Sequence, residues 1–169
     1  MREVSGSPIR PPDGEVPAGV PLIALLGRTP ALRLVSTDLF VYSTGFTFRC
    51  CLFARDPASA LIDEWAAAWT PAAIGTDFDL AVGFEDGVEF RLHPHRTAGG
   101  AEPLFFMEGW TRERQSCQTV FVPRLPPGGR VTISAGWPSR GVPPSTFAFD
   151  ASLLLDARAR VVQVWEEGG

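Results

Sequence analysis

Short segments with a two-residue apolar period, separated by turn-forming residues, constrain the fold of this chain most strongly. Every second residue from Phe46 to Leu52 is apolar, and the residues between them are polar or small. Because successive side chains of a strand point to opposite faces, this period predicts a β-strand with one buried face. Residues 78–92 alternate in the same way on both sides of Asp86 and Gly87, a pair that favours a two-residue turn with positive φ. This segment therefore predicts a β-hairpin.

Much of the remaining chain also reads as short strands. Residues 32–42 alternate and are followed by a turn-forming Ser-Thr-Gly at 43–45, which predicts an antiparallel partner for the strand after it. Three more strands are predicted at 103–110, 116–125 and 130–137. Most connections are too short for parallel crossovers, so the sheets should be antiparallel. The pattern predicts a mainly β chain that folds as an antiparallel β-sandwich or jelly-roll-like domain.

Two segments depart from the strand pattern and predict helices. The first is an inserted helix at about 57–69, where Asp56 suits the N-cap and Pro57 the first helical position. The second is a C-terminal helix that starts after Asp150, although the end of the segment 150–165, VVQVW, would also suit a strand. Both readings of this C-terminal segment stay open, with the helix favoured.

The first nineteen residues differ in composition from the rest of the chain. They contain four prolines, three glycines and few large apolar side chains, so they offer little surface whose burial could offset the cost of ordering the backbone. We therefore expect residues 1–19 to form a flexible arm and residues 20–169 to form a single β-sandwich domain, with folded structure from about Val20.

Charge and cysteine content limit the classes of partner and the compartment. A formal net charge of −4 disfavours binding to nucleic acid or to an anionic membrane, because both require a concentrated positive field. No apolar run approaches the length of about 18 residues that a membrane-spanning helix needs. Cys50 and Cys51 are neighbours that point to opposite faces of a strand and cannot easily pair with each other, and Cys117 makes the number odd. We therefore expect reduced cysteines and a cytoplasmic protein.

The order of several motifs resembles an uncharacterised family of small all-β proteins from high-GC actinobacteria. The motifs are YSTGFTF at 42–48, GFEDG at 83–87, VPRLPPGGRVTISAGWPSRGVP at 122–143, and the C-terminal FDASLLLDARARVVQVW. The similarity spans roughly residues 20–165, and the chain departs from the family pattern between residues 93 and 110. The resemblance implies a fold and a source, and it implies no activity.

The chain's only two histidines lie in that departing stretch, where residues 87–109 resemble the first cupin motif. That motif places two histidines on a strand, separated by one residue and followed by a glutamate, as metal ligands inside a jelly-roll barrel. The resemblance implies a divalent transition metal held by His93, His95 and Glu102 in a cupin-like metal-binding protein or metalloenzyme. Histidines at i and i+2 of a strand share a face, as such a site requires.

Other features of the same stretch favour exposed loop histidines. Six residues separate His95 from Glu102, and Pro94 cannot donate a ladder hydrogen bond in a central strand. The second cupin motif needs a further histidine, and none follows residue 95. The charged residues Glu108, Arg112, Glu113 and Arg114 are interpreted as a solvated strand end or turn.

The inserted helix offers a third kind of candidate site. Leu61, Trp65 and Trp69 follow helical spacing and make one apolar stripe, which is a core face if the helix packs on the sheets and a partner-binding surface if it does not. Neither a nucleophile elbow nor a glycine-rich phosphate loop occurs. The leading hypothesis is a non-enzymatic accessory or protein-interaction module without a cofactor, which binds another protein or forms a homo-oligomer.

Overall fold

A computed structural model of the chain describes residues 9–57, 59–70, 75–97 and 99–165. It contains thirteen strands and two α-helices within those ranges. In chain order the elements are β1 (Glu15–Val16), β2 (Ala18–Val20), β3 (Ala24–Arg28), β4 (Leu32–Val41), β5 (Phe46–Ala54), α1 (Ser59–Ala68), β6 (Asp79–Phe84), β7 (Glu89–Arg91), β8 (Glu102–Pro103), β9 (Phe105–Thr111), β10 (Gln115–Val122), β11 (Arg130–Trp137), β12 (Val142–Asp150), α2 (Ser152–Arg158) and β13 (Val162–Gln163).

Two sheets enclose the hydrophobic core. The large sheet has the order β2-β4-β5-β10-β9, with β3 also paired to β4, and the small sheet has the order β12-β11-β6-β7-β8. Pairing is antiparallel throughout both sheets except for the short parallel contact of β7 with β8. The prediction of a mainly β, sandwich-like fold with an inserted and a C-terminal helix is confirmed, and the parallel β7–β8 pair is an exception to the predicted antiparallel pattern.

The two-residue period identifies the buried face of the large sheet correctly. Phe46, Phe48, Cys50 and Leu52 all belong to the core and are fully shielded from solvent. Val131, Ile133 and other alternate residues of β11 contribute the facing layer from the small sheet. Burial of these apolar side chains from both sheets supplies the main driving force for the fold.

The hairpin at residues 78–92 forms, but its turn is longer than predicted. Phe84 donates its backbone N–H to Val88 O, and Gly87 donates to Phe84 O, so three residues lie between the paired positions. Gly87 has a φ of 90°, whereas Asp86 is not among the described residues with positive φ. One glycine in the left-handed region is enough for this turn, which is why the predicted pair of positive-φ residues is not needed.

The C-terminal segment contains both of the structures that its sequence suggests. The helix α2 buries Leu154 and Ala157 and ends at Arg158, and β13 follows within four residues. Asp150, the predicted N-cap, lies one residue before the observed N-cap Ala151, and its Oδ1 accepts a 2.8 Å hydrogen bond from Ser152 N. The helix does not continue to the end of the segment, because the chain turns back and β13 pairs with β1.

Strand pairing begins earlier in the chain than the predicted start near Val20. The strand β1 pairs with β13, and β2 pairs with β4, so residues 15–20 are held against the rest of the domain. Glu15 also accepts hydrogen bonds from the backbone and hydroxyl groups of Ser43. The prediction of an arm for residues 1–8 lies outside the described residues.

The expectation that all cysteines are reduced is wrong. Cys51 and Cys117 form a disulfide between directly opposed positions of β5 and β10, where their Cα atoms are 4.1 Å apart. Cys50 is free, and complete burial raises its pKa to about 12. The register of two strands that are 66 residues apart decides this pairing, and composition alone does not reveal that register.

No helix in the described part of the chain is long and apolar enough to cross a membrane.

Candidate ligand-binding groove

The two histidines have different environments. His95 is exposed, as predicted for a loop residue, whereas His93 is buried, and its Nε2 lies 2.9 Å from the carbonyl oxygen of Ala68. Because a carbonyl only accepts, His93 donates this hydrogen bond, and it thereby caps the C-terminal end of α1. The interpretation of both histidines as exposed is therefore wrong for His93, because α1 folds across it.

The structure does not bring the three predicted metal ligands together on a strand. Residues 94–96 form a 3-10 turn, so His93 and His95 do not project from one strand face, and their ring centres are 5.9 Å apart. Glu102 is exposed in β8. Within the described ranges, no group of three or more His, Cys, Asp or Glu side chains could hold a metal ion. The metal hypothesis stays a prediction that rests on the sequence resemblance alone.

The environment of His93 predicts a pH-dependent stability. Burial lowers the pKa of His93 below 6.5, the nearby charges of Arg96 and His95 lower it further, and the Ala68 carbonyl and Asp79 oppose the shift. The unfolded chain therefore binds a proton before the folded chain does as the pH falls. We expect the free energy of unfolding to fall below about pH 6.5, by up to about 1.4 kcal/mol per pH unit.

The His93→Gln variant should lose this dependence, and loss of the histidine hydrogen bond should cost about 1–3 kcal/mol at neutral pH. Urea unfolding between pH 5 and pH 8 measures both effects. The His95→Gln variant is the control, because it removes an exposed imidazole and leaves the Ala68 contact in place. Equal slopes in wild type and His93→Gln would show that another group causes the dependence.

The apolar stripe of the inserted helix forms part of the core. Leu61, Trp65 and Trp69 are all buried, and Trp65 contacts Phe78 and Trp137 at ring-centre distances of 4.8 and 5.9 Å. These three residues were expected to bind a partner only if the inserted helix did not pack on the sheets, and the helix does pack on them. The stripe is therefore a core face, which is the other interpretation that the sequence allows.

A concave surface of about 600 Å³ lies instead between the N-terminal segment and the outer face of the large sheet. We call it the arm groove. Residues 10–15 and Pro17 form one side. The sheet contributes the other side through Asp38, Phe40, Tyr42, Thr47, Arg49, Met107, Glu108 and Thr119.

Strand register explains why these sheet residues lie together. Thr47 is directly opposite Phe40 on β4 and Phe121 on β10. In the next outward-facing row, Arg49 is opposite Thr119, and Thr119 is opposite Glu108 on β9. Directly opposed side chains of neighbouring strands are the closest contacts that a sheet offers. The groove therefore combines side chains from two strand pairs, β4–β5 and β9–β10, that are far apart in the chain.

An irregularity in β4 shapes one end of the arm groove. Pairing with β5 shifts between Thr37 and Phe40, and Asp38 adopts a φ of 49° in the left-handed region. Aspartate tolerates this conformation better than most residues. The shift lets the Asp38 carboxylate meet Arg49 at 2.7 Å, so this guanidinium group is ion-paired at the base of the groove.

Two acidic side chains of the groove influence Tyr42 electrostatically. Burial raises the pKa of Tyr42, and the negative charges of Glu108 and Glu15 raise it further. Burial alone would raise the pKa of Glu15, but hydrogen bonds from Ser43 and Gln163 and the charge of Arg158 outweigh it and lower that pKa. The raised pKa of Tyr42 keeps its phenol neutral at neutral pH, and the lowered pKa of Glu15 favours its charged form.

A second concave surface, of about 340 Å³, lies on the outer face of the small sheet. Its charged groups already have partners within the chain. Arg91 pairs with both Asp79 and Glu89, and Asp77 accepts hydrogen bonds of 2.8 and 2.6 Å from the backbone and hydroxyl groups of Ser139. The arm groove is the better candidate site because some of its polar groups lack such partners.

Comparisons with known proteins do not place the chain in a family. No family model matches it, and neither a curated protein nor a solved structure does. The resemblances to the actinobacterial proteins and to the cupin motif therefore stay predictions from the sequence.

The sequence did not identify the residues of the arm groove. The sequence predicts that Glu108 belongs to a solvated strand end or turn and that Thr47 lies on the polar face of an amphipathic strand. The chain's single tyrosine, Tyr42, is the one local signal in the sequence that points to this surface. The groove depends on strand register and on the path of the N-terminal segment, and neither follows from local patterns.

Proposed function

We propose that this chain is a non-enzymatic β-sandwich module that recognises another protein through the arm groove. The observation that carries the proposal is the composition of this surface. Two aromatic side chains, Phe40 and Tyr42, lie beside carboxylates and hydroxyl groups that are directed outward from a rigid sheet. Aromatic anchors next to polar groups are characteristic of the centres of protein interfaces.

Charge favours a different protein over a second copy of this chain as the partner. The residues that line the arm groove include four carboxylates and two guanidinium groups, which gives a formal net charge of −2. The whole chain carries −4, so a second copy would add negative charge. A basic segment of another protein is complementary to this surface.

The proposal is tested by photo-crosslinking with p-benzoylphenylalanine at position 40. The matched control is the same substitution at Phe53, which lies on the same face of the sheet outside the groove and is similarly exposed, at 37% against 40% for Phe40. We expect one discrete crosslinked protein from position 40 only, which mass spectrometry identifies and which then binds the purified module. Crosslinks of equal yield from both positions, or none from position 40, would contradict the proposal.

The compartment forms part of the same proposal. The sequence predicts a cytoplasmic protein, but the Cys51–Cys117 disulfide favours an oxidising environment, because cytosolic reductants keep most thiols reduced. We propose that the module functions where this disulfide persists. Alkylation under denaturing conditions at the moment of cell lysis, followed by mass spectrometry, should find Cys51 and Cys117 unmodified unless a reductant is added first, because unfolding makes both buried residues accessible. Alkylation of both residues without reductant would support the cytoplasm.

A further inference from the structure

Ion pairing within the arm groove leaves two of its carboxylates without a partner of opposite charge. Arg10 pairs with Asp13 at 2.7 Å, and Arg49 pairs with Asp38 at the same distance. Glu15 accepts hydrogen bonds and feels the more distant charge of Arg158, but it forms no ion pair within the described chain. Glu108 is an exposed residue that lines the groove, and it forms no ion pair with any described residue. The groove therefore has unmet negative charge.

An unpartnered hydroxyl group lies in the floor of the same groove. Thr47 is only 5% exposed, and its side chain makes no hydrogen bond to any other described residue. The hydroxyl oxygen is not one of the fully shielded, unpartnered side-chain atoms among the described residues, so it stays accessible from the groove. The strand register directs Thr47 outward between Phe40 and Phe121, so its hydroxyl group faces the groove and not the sandwich core. This observation is independent of the carboxylates, and it indicates a ligand with a polar group that can form a hydrogen bond with the hydroxyl.

The aromatic side chains are the third feature of the groove that indicates a ligand. Phe40 is part-exposed and packs beside Gly19, while Tyr42 is half-buried and held edge-to-face by Phe121 with ring centres 6.4 Å apart. Aromatic rings attract cations through their negative faces and also pack against alkyl chains. Met107 adds a polarisable thioether to the apolar lining.

We propose that the arm groove binds an organic cation, an ammonium or guanidinium group on an apolar stem, presented as a lysine or arginine side chain of the partner. Glu108 and Glu15 balance the positive charge, Thr47 accepts a hydrogen bond from it, and Phe40 and Tyr42 contact the stem. This inference rests on the proposed recognition function of the groove. It goes further by naming the chemical group that the groove selects.

Small probes test the cation directly, without the protein partner. The amide signals of the isotope-labelled protein are followed by NMR during titration with n-butylammonium and n-butylguanidinium, and n-butanol and butyrate serve as neutral and anionic controls. We expect saturable shifts at Thr47 and Glu108 with the cations at roughly millimolar affinity, as such small ligands allow. Shifts of equal size with butanol, or no saturable shift with either cation, would overturn the inference.

Two variants distinguish cation binding in the groove from a general effect of the protein's surface charge. Glu108→Gln should weaken binding of the cations about tenfold, whereas Glu113→Gln removes the same charge from the exposed β9–β10 turn and should leave binding unchanged. Equal effects of the two variants would mean that only the overall charge matters, and would overturn the inference. Amide spectra of both variants report whether each remains folded.

A blocked lysine, N-acetyl-lysine N′-methylamide, distinguishes a protein-borne cation from a free amine. Binding at least as tight as that of butylammonium supports the side-chain source, and weaker binding overturns it. The outcomes also separate the two proposals. A position-40 crosslink without cation binding refutes only the cation, and cation binding without a crosslink refutes only the protein partner.

Discussion

Replacing Trp65 with alanine is expected to lower the free energy of unfolding by about 3–5 kcal/mol, the range for removing a large aromatic side chain from a core. Trp65 is fully buried and contacts Trp69, Phe78 and Trp137 through its ring, with centre distances of 4.8–5.9 Å. Collapse of the surrounding side chains cannot fill a cavity of this size. Chemical denaturation measures the loss.

The Trp65 experiment has two internal controls. Trp165 is 76% exposed, so Trp165→Ala should change stability by no more than about 0.5 kcal/mol. The Nε1 atom of Trp65 has no hydrogen-bond partner among the described residues, so Trp65→Phe forfeits packing alone and should cost clearly less than Trp65→Ala. Similar, small effects of Trp65→Ala and Trp165→Ala would mean that the helix stripe is not a core face, and would restore it as a partner surface.

Removing the disulfide is expected to cost a comparable amount. The bond joins residues 66 apart, and the loop-closure entropy of that length corresponds to about 4 kcal/mol. For a domain of this size, we expect the double variant Cys51→Ala/Cys117→Ala to melt roughly 8–16 °C below wild type. Calorimetry of both proteins, with and without reductant, measures the difference, and the variant should not respond to reductant.

Thiol counting tests the same disulfide independently. Unfolded, unreduced protein should contain one reactive thiol, from Cys50, and Cys50→Ala should contain none. In the native protein, Cys50 should resist alkylation at neutral pH, because burial raises its pKa to about 12. Three thiols in unreduced wild type, together with an unchanged melting temperature in the double variant, would contradict the cross-link.

Local patterns predicted the elements of this fold well, for a physical reason. Alternation in residues 46–52 and helical spacing around Trp65 reflect which side of one element meets the core, and that property is written in neighbouring residues. The C-terminal segment was ambiguous because it holds a helix and a strand in succession. The longer strands and both helices could therefore be predicted, whereas the short strands β1, β2 and β8, the turn length and the end points could not.

Contacts between distant segments could not be predicted in the same way. Burial of His93 depends on a helix carbonyl 25 residues earlier in the chain, and the disulfide depends on the register of β5 with β10. The arm groove needs both strand register and the fold-back of residues 10–17. Thr47 shows the difficulty, since its sequence position predicts an outward hydroxyl group but not the N-terminal segment that forms the other side of the groove.

The central claim is that the arm groove is the partner-binding surface of this module. The dissociation constant of the complex between the module and its purified partner tests this claim most directly. Phe40→Ala should weaken binding roughly tenfold or more, as truncation of an aromatic anchor does, while Phe53→Ala on the same sheet face should bind like wild type. Equal dissociation constants for wild type and Phe40→Ala, with both proteins folded, would contradict the claim.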